Sequence, residues 1–378
     1  MTGLKSVALL LDSAPRTWTS QEEIHLRVCR RMKAEGIQPV LVYAKELEPD
    51  LAERLRLSGA ALEIISYAHG PLHYRRELGK LISRYQIGMV HICFFDYFSL
   101  IPWLARSQGV KIIIFEELNS GIMQARSWKR QLLRFRTYLT SFPMTRVIAI
   151  SDFVKRELIN RGIKAERIIV RHLGVDTSRF FPDPAARKWW AETFGVRPEE
   201  LILSTVTVLR AFKNPETILR SCALLSSRHV PFRLFVAGDG AMMTELKELS
   251  RSLKIESRVE WLGYCPDPVN LLQASDVFIL ASVGEAFGLV VPEAMACGVP
   301  VVGSRSGAIP EIIEDGKTGI LANPRDESSF ADALEKLSRD SEFRVQMGRN
   351  SLSHVREKFT VDLDVENTLR IYESLWQG

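Results

Sequence analysis

The stretch GEAFGLVVPEAMACGVPVV, residues 284–302, carries two carboxylates, Glu285 and Glu293, inside a run of small and branched apolar residues. Just upstream, Val277–Leu280 reads as a buried strand, so 281–288 is the loop at its carboxyl end and a helix begins near 288–292. Pro292 is tolerated in a first helical turn, and Gly298 is a natural C-terminal stop. A core has no use for two carboxylates, and a solvated helix face is not this apolar. Glu293 alone would suit a helix dipole equally well; the pair with its glycines predicts a ligand site. Gly288, with Phe287 beside it, lets a ligand approach the backbone, and the amides of Gly288, Leu289 and Val290 at a helix start favour phosphate. Carboxylates next to an anion site fit a ligand that joins phosphates to vicinal sugar hydroxyls.

Around this stretch, strand and helix patterns alternate. Strand-like runs fall at 201–208, 232–237, 259–262, 277–280, 299–303 and 318–321. Earlier ones fall at 7–11, 40–43, 62–66, 89–93, 111–115, 146–150 and 167–171, with amphipathic stretches between them such as 21–35, 73–85, 97–108 and 152–161. The pattern predicts an α/β chain with two tandem Rossmann-like domains facing a central cleft, where ligands bind outside the strands' carboxyl ends. LGVDTSRFFPDPAARK, residues 173–188, breaks the periodicity and reads as a linker. The expected domains are 1–172 and 189–360. Helical stretches at 328–340, 342–358 and 362–376 close the chain, and the last is expected to pack back on the first domain.

The chain has 378 residues, 46% of them apolar and 25% charged, as in a globular protein. Its apolar runs of about five residues fall short of the roughly 20 that span a bilayer, and the early Asp12 interrupts any leader-like segment. Five scattered cysteines read as reduced thiols, so the expected location is the cytoplasm or the inner face of a membrane. The net charge of +5 is uneven: residues 1–180 hold 28 Lys and Arg against 17 Asp and Glu, residues 181–378 hold 22 against 28. A basic first half predicts an anionic partner. Nucleic acid ranks last among the candidates, because no base-reading motif accompanies the charge.

A second element, STVTVLRAFKNPETIL at 204–219, places Arg210 and Lys213 between a strand and a helix starting near Pro215. Two cations at a strand's carboxyl end suit a diphosphate. In FVAGDGAMM, 235–243, Gly238-Asp239-Gly240 lacks the third glycine of a dinucleotide fingerprint and reads as a tight strand-to-helix turn.

With these stretches in hand, residues 199–358 resemble the nucleotide-sugar domain of the retaining glycosyltransferases of the two-Rossmann-domain (GT-B) fold, family 4. The likeness runs through LRAFKNPETIL, FRLFVAGDG, SRVEWLGY, LLQASDVFILAS, EAFGLVVPEAMACGVPVV, GAIPEIIEDGKTGIL and EKFT. RVIAISDFVKREL and the GVD of the linker resemble the acceptor domain more loosely. The resemblance implies a retaining, metal-independent transfer from a UDP- or GDP-linked sugar to a glycan, lipid-linked or small-molecule hydroxyl, with no cofactor. It implies Glu293 on the ribose, Glu285 on the transferred sugar, Arg210 and Lys213 on the diphosphate, and Gly263 and Tyr264 on the base. The alternative within the same fold is a nucleotide-sugar-binding regulatory subunit that has lost catalysis.

The first half departs from the family. Its first strand-to-helix loop, DSAPRTWTSQEE at 12–23, lacks the usual glycine pair, leaving Arg16 or the hydroxyls of Thr17, Thr19 and Ser20 as substitutes. FEELNSG at 115–121 puts Glu117 or Leu118, depending on a one-residue alignment choice, where the family often has a histidine. His69 and His73 read as loop or cap residues, His91 as a core residue, and the D-x-D of Asp362 and Asp364 as coincidence far from any strand end. ARSWKRQLLRFRTYLTSF, 125–142, places Trp128, Leu132, Phe135 and Leu139 at helical spacing among cations. It reads as an interfacial helix on anionic lipid, a clamp for an anionic lipid-linked acceptor, or a surface helix packed on its sheet.

Overall fold

Runs of Val, Ile and Leu bounded by Gly, Asp or Pro form the strands, and their pairings are parallel throughout both sheets. The computed structural model describes residues 3–13, 15, 18–119 and 127–377, with the backbone alone for 127–130 and 132. Contacts divide the chain into Met1–Gly174 with Val361–Gly378, and Val175–Thr360.

In the first unit the strands are β1 (Ser6–Leu11), β2 (Gln38–Tyr43), β3 (Ala61–Ile64), β4 (Ile87–Cys93), β5 (Ile112–Glu117), β6 (Arg146–Ala149) and β7 (Ile168–Val170), in the order β3-β2-β1-β4-β5-β6-β7. Its helices are α1 (Ser20–Ala34), α2 (Pro49–Arg56), α3 (Pro71–Tyr85), α4 (Ile101–Ser107), α5 (Ser127–Ser141) and α6 (Asp152–Asn160). Thr19 and Glu22 form a capping box that starts α1, satisfying two amides that a helix start leaves open. The stretch 97–108 yields a helix only from Ile101, because Pro102 must sit in a first turn where no amide is needed.

The second unit runs α7 (Pro184–Phe194), β8 (Leu201–Val206), α8 (Pro215–Ser227), β9 (Phe232–Ala237), α9 (Met243–Ser252), β10 (Val259–Gly263), α10 (Val269–Ala274), β11 (Val277–Leu280), α11 (Val290–Ala296), β12 (Val301–Ser304), α12 (Ile309–Ile312), β13 (Gly319–Ala322), α13 (Glu327–Arg339) and α14 (Ser341–Lys358). Its sheet order is β10-β9-β8-β11-β12-β13. The stretch expected to be linker to residue 188 gives way to α7 at Pro184. The prolines misled: Asp183 caps the helix through Ala185 N, and Pro184 occupies its first turn.

The last helix, α15 (Val361–Gln377), belongs to the first unit and packs on α1. Its anchor corrects the placement of Asp364 far from any strand end: the residue is 2% exposed. Asp364 lies 2.7 Å from Arg171 Nη1 and accepts a 2.9 Å hydrogen bond from Gly174 N, close after β7. Arg171 also holds Glu116, while Tyr372 reaches His91 Nδ1 at 2.7 Å. His91 Nε2 is 3.1 Å from Glu116. With the tyrosine donating to Nδ1, the imidazole's remaining N–H faces the carboxylate. Burial pushes Asp364 up to about 6 against the pull of Arg171. Burial also acts to raise Glu116, but Arg171 and His91 outweigh it and hold that carboxyl well below the usual range.

Candidate functional site

In the second unit, chain succession turns at the boundary of β8 and β11: β9 and β10 extend the sheet on one side, β12 and β13 on the other. Loops after the two central strands flank the crevice where open α/β sheets take ligands. After β8 comes a single 3-10 turn, Ala211–Lys213. Asn214 ends it in the left-handed region, φ 53°, and its amide donates to the carbonyls of Ala281 (3.3 Å) and Pro324 (2.6 Å). Phe212 O accepts from Val283 N at 2.8 Å. These bonds tie the β8 loop to the β11 loop and fix where Lys213 points.

Lys213 Nζ meets both oxygens of Glu285, at 2.8 and 2.6 Å. The pair is half-buried, with 18% of the lysine and 12% of the glutamate side chain exposed. An ammonium has three donors; two are committed here and the third stays available to a ligand. Arg210 is exposed just before the 3-10 turn.

Glu285 is gripped through its backbone by the loop after β12. Ala308 N donates to Glu285 O at 2.9 Å, and Gly284 N donates to Ser306 Oγ at 3.2 Å. A Cβ on Gly307 would stand 2.5 Å from Glu285 N and O, so only glycine permits the approach. Gly288, at φ 85°, has the same role on the other side: a Cβ there would stand 2.9 Å from Glu285 Cγ. Leu289 is the cap residue of α11 and Glu293 lies in its first turn. Glu293 faces Cys297 one turn on; burial, with this carboxylate's charge, pushes the Cys297 thiol up to about 12. Phe287 is 2% exposed, with its ring 6.0 Å from that of Phe359.

The GDG segment proves to be more than a turn. A Cβ on Gly238 would stand 1.8 Å from Thr207 O, and one on Gly240 2.4 Å from Leu209 O. Leu209 N donates to Asp239 O, Met242 N to Leu209 O, and Gly238 N to Gly263 O. The loops after β8, β9 and β10 are thus laced backbone to backbone, which sets Arg210 and the Gly263–Tyr264 corner. Tyr264 is 68% exposed. Sequence reasoning missed Asn214, Ser306 and Gly307; the glycine before Ile309-Pro310 was the available signal for the last two.

In the first unit, Glu117 ends β5 but is not an open group. It is 4% exposed, accepts from Asn119 N at 3.1 Å, and lies 3.3 Å from Arg161 Nη1. Burial raises its pKa, opposed by Arg161. Arg16 lies outside the described residues. His91, Cys93 and Glu116 bring three metal-capable atoms within 4.8 Å of one another. Arg171 already occupies Glu116, and its charge opposes a cation there.

Two Rossmann-like units with a laced strand-end loop system define the GT-B class. The family model "Glycosyltransferase Family 4" matches residues 22–179, and "Glycosyl transferases group 1" matches residues 188–354. The chain belongs to the group 1 glycosyltransferases of family 4. It is 36% identical over 179 residues to N-acetyl-alpha-D-glucosaminyl L-malate synthase of Bacillus anthracis, covering 47% of each chain. It is 34% identical over 213 residues to D-inositol 3-phosphate glycosyltransferase of Corynebacterium jeikeium, covering 53% of this chain and 50% of that one. The chain thus spans about half the length of these curated relatives. Among solved structures, Anabaena HepE in complex with UDP and glucose superposes with a TM-score of 0.81 at 19% identity, over 98% of this chain and 100% of that one.

Proposed function

We propose that the chain transfers a glycosyl unit from a nucleoside-diphosphate sugar to a hydroxyl acceptor, with retention and without a metal ion. The observation that carries this reading is the Lys213–Glu285 pair, held at the β8–β11 turn of the sheet with the start of α11 beside it. In this reading Glu293 binds the ribose hydroxyls and the Gly263–Tyr264 corner takes the base. Lys213 offers its third N–H to the diphosphate, with Arg210 and the amides of Gly288, Leu289 and Val290. The two cations stabilise charge as the diphosphate leaves, and electrostatic stabilisation of this kind supplies most of the rate enhancement in many enzymes. Glu285, fixed by Gly288 and Gly307, faces the moving sugar, and the acceptor hydroxyl attacks on the face the diphosphate vacates. The excess of cations in residues 1–180 favours an anionic acceptor. L-malate and inositol 3-phosphate, which appear in the names of the two relatives, are anionic hydroxyl compounds of that kind.

The test is release of nucleoside diphosphate from a panel of UDP- and GDP-sugars, with L-malate and inositol phosphate among the acceptors and with chelator in a parallel arm. The anomeric coupling of the product reads retention. Glu293→Ala is expected to weaken binding of the nucleoside diphosphate about 10- to 100-fold, the worth of hydrogen bonds to a charged group. Tight binding of a donor that is never turned over would replace the enzyme reading with that of a sugar-nucleotide-binding subunit.

A further inference from the structure

The described C-terminal turns of helix α5 are inside out. Thr137 is fully buried and Ser141 nearly so, while Phe135 (59%), Tyr138 (57%), Leu139 (44%) and, just past its end, Phe142 (61%) face water. Those four stand at i, i+3, i+4 and i+7, so they form one stripe along the helix. A helix lying on a protein core normally turns such a stripe inward. Scattered apolar residues on a surface need no explanation, but a contiguous patch does.

The neighbouring helix α4 extends the stripe. Trp103 is 40% exposed and stacks on Phe142, ring centroids 5.7 Å apart and planes 11° from parallel. Its indole N–H donates to Leu139 O at 2.9 Å. Arg106 donates to Pro143 O at 2.7 Å, which ties α4 to the end of α5. The patch is therefore a built surface on two braced helices. Cations outnumber acids around it, with Asp96 an exposed acid beside Phe98, over whose ring Arg136 stacks at 4.5 Å. From Tyr97 to Ser151 the sequence has eight Lys and Arg (106, 111, 126, 129, 130, 134, 136 and 146), and its two acids, Glu116 and Glu117, are both buried. Arg134 and Arg136 stand exposed on α5 itself.

We propose that the α4–α5 surface docks the protein on a bilayer containing anionic phospholipid. Trp103, Phe135, Tyr138, Leu139 and Phe142 enter the interfacial zone, and Arg134 and Arg136 meet the headgroup phosphates. Aromatic rings favour that zone, and cations beside them add affinity for anionic lipid. Nucleic acid fits less well, because the Trp103 and Phe142 faces are stacked on each other instead of offered to bases. A second copy of the chain is disfavoured because a two-fold contact would set the exposed Arg134 and Arg136 against their own copies. The inference is independent of the proposed transfer reaction.

The experiment is flotation of the full chain with vesicles of phosphatidylcholine alone or mixed with phosphatidylglycerol. The chain is expected to float with the mixed vesicles, about tenfold or more above phosphatidylcholine alone, and to be released by high salt. Phe135→Ser with Phe142→Ser should lower binding about tenfold. Arg134→Gln with Arg136→Gln should lower it about 25-fold, since each interfacial cation is worth about fivefold. Melting temperatures report whether each variant folds; if the aromatic variant does not, the arginine variant decides alone. The proposal is overturned if mixed vesicles are not bound, or if folded variants bind them as the parent does. It is equally overturned if the aromatic variant converts a dimer to a monomer, or if an oligonucleotide competes the chain off the vesicles and loses its own binding in both variants.

Discussion

Two ion pairs of nearly equal length occupy opposite situations. Lys213–Glu285 closes at 2.6 Å and Arg171–Asp364 at 2.7 Å. The first sits in strand-end loops of the second unit with 18% and 12% of its side chains exposed; the second lies inside the first unit at 4% and 1%. Distance alone does not tell the two apart; access to water and the number of answered lone pairs do. Asp364 also accepts from Gly174 N, and Arg171 also donates to Glu116 and to Thr368 at 2.5 Å, so the sealed network answers its charges from within and holds α15, with Arg171 Nε left unbonded. The half-open pair keeps one ammonium proton uncommitted, which leaves it able to take a ligand.

The comparison breaks most sharply at Arg171. Arg171→Met leaves Glu116 and Asp364 buried without their cation, and a loss of roughly 3–5 kcal/mol is expected in urea unfolding. Arg171→Met combined with Glu116→Gln and Asp364→Asn should recover most of it, because no uncompensated charge remains. A single variant as stable as the parent would show that water reaches this network.

Lys213→Ala tests the other pair. Unfolding free energy should change by less than about 1 kcal/mol, as for partly exposed pairs. Under the proposed reaction, kcat should fall about 10²- to 10³-fold, as for other groups that stabilise developing charge. A large stability loss with turnover intact would make the two pairs alike after all.

His25 sharpens the contrast through pH. Burial lowers its pKa to about 4, against the opposing pull of Glu116 and with His91 and Arg171 acting in the same direction as burial. The unfolded chain therefore takes up this proton near pH 6.5 and the folded chain only near 4. Stability from this group is complete above pH 6.5 and is lost as pH falls toward 4, by about 3 kcal/mol. His25→Gln should flatten that part of the stability profile; an unchanged slope between pH 6.5 and 4 would assign the acid lability elsewhere.

Much of the second unit was legible because its signals are contiguous. The loop–helix of 284–302 keeps strand, glycine, carboxylate and proline within nineteen residues of sequence, and each has a local conformational meaning. Asn214 was overlooked because an asparagine in the left-handed region looks like any polar residue until its partners, Ala281 and Pro324, are known. In the first unit the expectation that Asp364 lies far from any strand end failed for the same reason at longer range: its partner Arg171, directly after β7, lies 193 positions away. For α5 the periodicity was correct, but a period cannot say which way its stripe faces.

By itself, then, the sequence determined the alternation of strands and helices, the two Rossmann-like units and the set of loops around Glu285 and Glu293, all properties of neighbouring residues and their spacing. The tertiary structure decided which polar groups meet: Lys213 with Glu285 across 72 positions, and His91 with Tyr372 across 281. It also decided that α5 shows its aromatic stripe to water. The physical reason is that periodicity records a preference for burial, whereas a partner is chosen only when folding brings distant strand ends together.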